Sequence, residues 1–374
     1  MIGAPGIDNG AAVVDRDLDS IVGAANAELG EMAGDRLLIV GGGGFVGYYL
    51  INSVLRWNER GGGDPIRVTV FDSWIRGKPA WLSRHDAGSK LEIETVDITV
   101  PLAPRPDSFQ WIVHAASIAS PIYYRKHPIE TMDANVNGLR NLLELGLAQA
   151  ADLRGFLFFS TSEIYGDPPP DAIPTPETFR GLVSCTGPRA CYDESKRFGE
   201  TLSVNFASVH GLPIKTVRPF NNYGPGLKLS DGRVIPDFCG DVLANRDINL
   251  LSSGSPTRTF CYIADAVAGY LKVLVRGTPG EAYNIGTEEP EISMSELASL
   301  IVSVAEGHLG YQGQVVRAIS SDPEYLTDNP RRRRPSIVKA RSELGYQPEV
   351  PIEDGLLRTL LWYRDVAHVD MEAR

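Results

Sequence analysis

Between residues 36 and 220, short apolar runs alternate with longer segments whose apolar residues recur every three or four positions, which is the pattern of strand followed by helix. Arg36-Leu-Leu-Ile-Val40, Ile66–Phe71, Leu91–Val96, Trp111–His114, Phe156–Phe159 and Ile214–Arg218 are predicted strands, and Tyr48–Trp57 and Thr131–Ala150 are predicted helices. Strands this uniformly apolar are covered on both faces, so the order predicts an α/β chain with a doubly wound parallel sheet. Residues 167–187 are proline-rich and aperiodic, which predicts a long loop. Beyond Pro219 the pattern becomes polar and arginine-bearing, and a smaller C-terminal lobe is expected over residues 219–374. Within it, Ala264–Arg276 reads as a helix and Ala282–Gly286 as a strand, so that about 262–286 returns to the first domain, residues 35–218; Met294–Ala305 is amphipathic. Residues 1–34 read as an acidic leader ending in a short helix near Leu18–Met32.

A chain of 374 residues has room for such a two-lobed arrangement. Its formal net charge of −11 argues against nucleic acid or an anionic membrane as partner, so any anion pocket must be built from clustered arginines. No apolar run approaches the ~18 residues of a membrane span. The leader lacks the basic start and apolar core of a secretory signal. Cys185, Cys191, Cys239 and Cys261 have neither metal-ligand spacing nor histidine partners, so no metal is expected and a reducing cytoplasm fits best.

Chemistry enters at the strand ends. After Val40 comes Gly41-Gly-Gly-Gly-Phe-Val-Gly47, in which Gly41, Gly44 and Gly47 let backbone approach a pyrophosphate while Phe45 and Val46 open a helix. Asp72 ends the second strand, where a carboxylate binds adenosine ribose hydroxyls and repels a 2′-phosphate, favouring NAD; Arg76 nearby leaves NADP open. Asp97 and Ile98 follow the third strand within reach of adenine, and Ala115, Ala116 and Ser117 are small enough to lie against a cofactor. Ser160-Thr-Ser-Glu163 sits at the carboxyl end of the fifth strand. Tyr192 and Lys196, four apart, project from one helix face, and the ammonium is expected to lower the phenol's pKa and make it a base.

With glycine turn, Asp72, Ser160–Glu163 and Tyr192/Lys196 in this order, the chain resembles the extended short-chain dehydrogenase/reductase superfamily over about residues 35–365, which implies a Rossmann sheet binding NAD. Within it, His114-Ala-Ala-Ser-Ile-Ala-Ser-Pro121, Ser160–Glu163, Gly187-Pro-Arg-Ala-Cys-Tyr-Asp-Glu194, Thr257-Arg-Thr-Phe260 and Arg333-Arg-Pro-Ser-Ile337 are most similar to UDP-glucuronate decarboxylases. The resemblance implies oxidation at C4 of a UDP-sugar, loss of CO2 and re-reduction to a UDP-pentose. Tyr192 would be the base, Lys196 its partner, Thr161 or Ser162 the group orienting the C4 oxygen, Glu163 the handler of the C5 proton, and Arg333 the stabiliser of the enolate. Substrate contacts would come from Ser120, Tyr124, Lys126, Arg189, Asn221, Arg233 and Arg258. Ser162 stands where related 4,6-dehydratases carry an acid, and Lys126 where an aromatic or Arg is more common. A 4-epimerase or other 4-keto modifier is the alternative enzyme, a non-catalytic NAD(H) sensor the alternative class. A homodimer is expected.

Overall fold

Successive side chains of β1 (Arg36–Val40) part to opposite faces of a sheet: Leu37 and Ile39 enter one hydrophobic core, Leu38 and Val40 the other. A computed structural model describes residues 9–82, 90–320, 322, 324 and 327–366. β2 (Arg67–Asp72), β3 (Leu91–Thr95), β4 (Trp111–His114), β5 (Gly155–Phe159) and β6 (Ile214–Pro219) follow in the predicted places. Past them lie the short strands β7 (Asn222–Tyr223), β8 (Ile248–Leu250), β9 (Thr257–Arg258) and β10 (Cys261–Tyr262), then β11 (Ala282–Ile285), β12 (Ile292–Ser293), β13 (Val315–Arg317) and β14 (Arg332–Arg333). The central sheet has seven parallel strands in the order β11-β6-β5-β4-β1-β2-β3. Strand order reverses between β1 and β4, and that switch point opens a crevice at the strands' carboxyl ends. The segment after Pro219 reaches the chain following β2 through the Arg76–Asp231 pair and the chain following β5 through the Arg333–Glu163 pair.

The chain begins with α1 (Gly10–Ala24) and α2 (Asn26–Glu31), and α3 (Phe45–Glu59) follows β1. After β4 come α4 (Pro121–Lys126), α5 (Pro128–Asp133), a π-turn at Ala134–Gly138 and α6 (Leu139–Ala148); α7 (Ala190–His210) precedes β6. The C-terminal part adds α8 (Val234–Leu243), α9 (Ile263–Arg276), α10 (Met294–Leu309), α11 (Val338–Leu344) and α12 (Ile352–Asp365). One core joins the sheet to α1, α3 and α9 through Leu50, Val54, Val267 and Tyr270; the other joins it to α6 and α7 through Leu142, Leu143 and Phe206.

The start of the chain differs from the expectation of one helix near Leu18–Met32. Helix begins at Gly10, capped by the Asn9 side chain, and breaks at Ala25 into two; residues 1–8 lie outside the described residues. Its acidic residues misled the pattern, because Asp17 points inward, accepting from Tyr262 Oη at 2.6 Å and Arg358 Nη1 at 3.0 Å. Likewise Thr131–Ala150 is not one helix. The π-turn turns Asn135 inward, where its Nδ2 donates to Ser195 Oγ at 2.9 Å.

Candidate active site

The glycine turn is built for close approach. Gly41 has φ +86°, and a Cβ on it would fall 2.5 Å from Ala116 N, in the segment leaving β4. A Cβ on Gly47 would sit 2.6 Å from Gly42 O. Gly44 is the N-cap of α3 and supplies no side-chain cap, so the first-turn N–H groups at Phe45 and Val46 face the crevice mouth unmasked by a side chain. Asp72 closes the turn: its two oxygens accept from Gly43 N at 2.9 Å and Trp74 N at 2.8 Å, and each retains a lone pair for a ribose hydroxyl. Arg76, which could have met a 2′-phosphate, instead lies 3.5 Å from Asp231 and over the Tyr123 ring at 4.5 Å. Together with the buried Ser117 Oγ beside the turn, which has no hydrogen-bond partner among the described residues, these residues fit a dinucleotide without a 2′-phosphate. Asp97 is exposed and accepts from Thr99 N and Oγ1, while Ile98 is buried beneath it.

At the end of β5, Thr161 caps a short 3-10 turn, Ser162–Tyr165, that turns Ser162 inward and aims Glu163 at α7. Tyr192 and Lys196 stand one turn apart on α7, both buried, as the spacing requires. Lys196 donates from Nζ to Phe159 O at 2.7 Å and lies 5.9 Å from the centre of the Tyr192 ring. Burial brings the ammonium down to about 7, partly opposed by Glu200. The expected activation of the phenol is not present in this state. Burial pushes Tyr192 up to about 12, outweighing a hydrogen bond from Thr161 and the charge of Arg233, while Lys196 directs one of its N–H groups to a backbone carbonyl. Tyr124 stacks on Tyr192 at 5.1 Å and 9°, which fixes the plane of the ring.

Glu163 is gripped from two directions. Arg333 on β14 makes a bidentate pair with it, one bond measuring 2.5 Å, and Arg189, at the N-cap of α7, donates to the same carboxylate. Burial works to raise this carboxyl, but Arg189 and Arg333, with Arg258 behind them, hold it at about 2. The structure therefore brings Thr161, Ser162, Glu163, Tyr192, Lys196, Tyr124, Arg189 and Arg333 together. Ser120 is buried at the start of α4 and donates to Asp231 O at 2.7 Å; Arg233 pairs with Asp231 at 3.1 Å. Asn221, at φ +41°, donates to Thr259 O, and Arg258 is spent on Asn329 and the carbonyls of Thr257, Pro330 and Arg331. Lys126 is exposed at the end of α4.

Two residues of this region went unread in the sequence. Asp193 is buried beside Arg189 and Glu163, and its only sequence signal was its place one residue after Tyr192 and four after Arg189. Asn135 supports α7 from the π-turn, which no periodicity announces.

A family model described as "NAD dependent epimerase/dehydratase family" matches residues 37–286. The chain is 36% identical over 321 residues to UDP-glucuronic acid decarboxylase 5 of Arabidopsis thaliana, covering 86% of this chain and 87% of that protein. It is 35% identical over 336 residues to UDP-glucuronic acid decarboxylase 1 of Xenopus tropicalis, covering 90% of this chain and 74% of that protein. Among solved structures, the dTDP-glucose 4,6-dehydratase DesIV of Streptomyces venezuelae with NAD and TYD bound superposes with a TM-score of 0.76 at 26% identity, over 89% of this chain and 98% of that one.

Proposed function

The chain belongs to the NAD-dependent epimerase/dehydratase family, and from that membership we propose that it decarboxylates UDP-glucuronate to a UDP-pentose. The observation that carries this reading is the ionised Glu163 held beside Tyr192 by the buried Arg333 and the part-buried Arg189. A dehydration at this place needs a protonated acid to meet the departing hydroxyl. Ser162 cannot supply one, and in the resting site Glu163 is held as the carboxylate. A glucuronate brings its own carboxylate to a cluster of guanidiniums, whose planar forks suit carboxylates and later the enolate oxygen.

NAD, when bound along the glycine turn and Asp72, supplies the reversible two-electron oxidation at C4. The residues of the chain do the rest. Tyr192 takes the C4 hydroxyl proton from a substrate oxygen that Thr161 and Ser162 orient, and Lys196 steadies the phenolate. The resulting ketone is β to the C6 carboxylate, so breaking C5–C6 expels CO2 and leaves the electron pair delocalised onto the C4 oxygen. A lasting ion pair between Arg333 and the carboxylate would stabilise the ground state and oppose that step, so Arg333 contributes by stabilising the enolate. Glu163 handles the proton that C5 then gains. Gly41, Gly44, Phe45, Val46, Gly47, Asp97, Ile98, Ala115, Ala116 and Ser117 line the cofactor in this reading. Ser120, Tyr124, Lys126, Asn221, Arg233 and Arg258 surround the sugar nucleotide, and Arg189 reaches the substrate from the Glu163 cluster.

Residues 35–218 form the cofactor domain in this proposal and 219–374 mainly the substrate lobe, with about 262–286 returning to the sheet. The protein works in the cytoplasm as a homodimer. Its dimer contact is the outer face of α7, where Phe198 and Val209, eleven positions and so three turns apart, expose apolar side chains. Incubation with UDP-glucuronate and catalytic NAD tests the function: a product lighter by CO2 is expected. A product of unchanged mass would point to epimerisation, and no product to a sensor.

A further inference from the structure

Glu163 cannot hold the C5 proton while two guanidiniums grip it. Something has to loosen that grip during the reaction. Arg189 is the cation with somewhere else to go. Its Nη2 reaches Glu163, yet its Nε is buried and, among the described residues, has no hydrogen-bond partner. That Nε lies 3.6 Å from Asp193 Oδ2, just beyond hydrogen-bonding reach, one helical turn along α7. Asp193 is only 6% exposed, and its Oδ1 is likewise unpartnered among the described residues. Arg189 Nε and Asp193 Oδ1 both lack a hydrogen-bond partner among the described residues while the two side chains already stand as a long ion pair, and a small side-chain movement closes that pair into a charge-assisted hydrogen bond. Arg333 Nε is likewise without a hydrogen-bond partner, but among the described residues the carboxylate paired with Arg333 is Glu163, which holds both its terminal nitrogens.

We propose that Asp193 is a positioning residue for the decarboxylation site: it is the second seat of Arg189, and the shift of Arg189 from Glu163 to Asp193 frees Glu163 to carry the proton delivered to C5. The inference rests on the decarboxylase reading and names a new residue within it. When the substrate carboxylate arrives, it competes with Glu163 for the two guanidiniums, and Arg189 closes onto Asp193. With one cation gone, Glu163 takes up a proton from water. Loss of CO2 leaves the electron pair on C5 and the C4 oxygen; Glu163 gives its proton to C5, forming C5–H, and returns to a carboxylate that recaptures Arg189. One proton enters from solvent for each CO2 released, so the cycle balances.

The charges around the pair are consistent with this exchange. Asp193 faces Arg189, Cys191 and Tyr192 on α7, Glu163 after β5, Arg333 on β14 and Tyr124 on α4. Burial, then the Glu163 charge, push Asp193 up to about 7 against the pull of Arg189 and Arg333. Glu163 and Asp193 are thus two carboxyls whose surroundings drive their affinities for a proton apart around one shared arginine, the arrangement expected where a proton is handled.

The two partners of the exchange predict opposite effects. Asp193→Asn strands Arg189 on Glu163, so kcat falls by about 10- to 100-fold while KM for UDP-glucuronate is little changed. The fall of kcat at alkaline pH, where Glu163 loses its proton, moves to lower pH, and the solvent deuterium isotope effect on kcat grows as C5 protonation becomes limiting. Arg189→Gln removes the cation, so the same alkaline limb moves to higher pH. If Asp193→Asn lowers all steps together with an unmoved limb and isotope effect, Asp193 is merely structural and the proposal is overturned. Should that variant not fold, Arg189→Gln alone decides, because an unmoved or downward-shifted limb contradicts the exchange. Wild-type enzyme assayed in parallel separates this from the function itself: absence of CO2 release there refutes the decarboxylase reading whatever the variants do.

Discussion

Tyr192 shows how far a motif carries. Its four-residue spacing from Lys196 lies within one helix, so their shared face follows from helix geometry alone and was legible in the sequence. The proton affinities were not. Burial, a tertiary property, outweighs the hydrogen bond from Thr161 and the charge of Arg233 and holds the phenol at about 12, with Lys196 at about 7. Replacing Tyr192 by Phe is expected to lower kcat by about 10²-fold or more while leaving the affinity for UDP unchanged by calorimetry; retained turnover would remove the proposed base. The grip on Glu163 was less visible still. Arg333 lies 170 positions away in sequence, and tertiary contacts bring it to the end of β5: the pairing of β14 with β9 and the bridge between Thr175 and Pro335. The sequence run Arg331–Arg334 is not one solvated basic face, because Arg331 pairs with Asp167, Arg332 with Glu291, Arg333 with Glu163 and Arg334 with Glu289.

The strands of the central sheet were legible as elements because strands covered on both faces must be apolar throughout, and β1, β4 and β5 are buried along almost their whole lengths. The first helices were misplaced for the converse reason, since a buried carboxylate mimics a solvated face. Asp17 anchors α1 to α12 through Arg358 and to the end of β10 through Tyr262. Burial raises its carboxyl to about 6, only partly offset by hydrogen bonds from Tyr262 and the charge of Arg358. The folded protein therefore keeps this proton to higher pH than the unfolded chain does. The resulting stabilisation is complete below about pH 4, the ordinary carboxylate value, and is lost as pH rises through about 6. Asp17→Asn removes the titration, so its melting temperature should decline less than that of the wild type between about pH 4 and 7. Parallel declines would show that Asp17 does not titrate in this range.

At the scale of the whole molecule, the end of β5 and α7 supply Glu163 and Tyr192 while the segment after Pro219 brings Arg333 to them, so the phenol and the guanidinium cluster meet in a single place. The fold alone does not choose a reaction, because the family it belongs to includes epimerases and dehydratases. In the proposed mechanism the choice lies with Ser162, Glu163, Arg189 and Arg333. The exposed apolar face of α7 carries the proposed assembly: Phe198→Glu combined with Val209→Glu should convert a dimer to a monomer by light scattering, and an unchanged mass would place the contact elsewhere. The decarboxylation itself is tested most directly by UDP-glucuronate labelled with carbon-13 at C6, supplied with substoichiometric NAD and followed by NMR. The account predicts that the label leaves the sugar and appears as CO2 and bicarbonate, with an unlabelled UDP-pentose remaining. Label retained on a six-carbon UDP-sugar would contradict it.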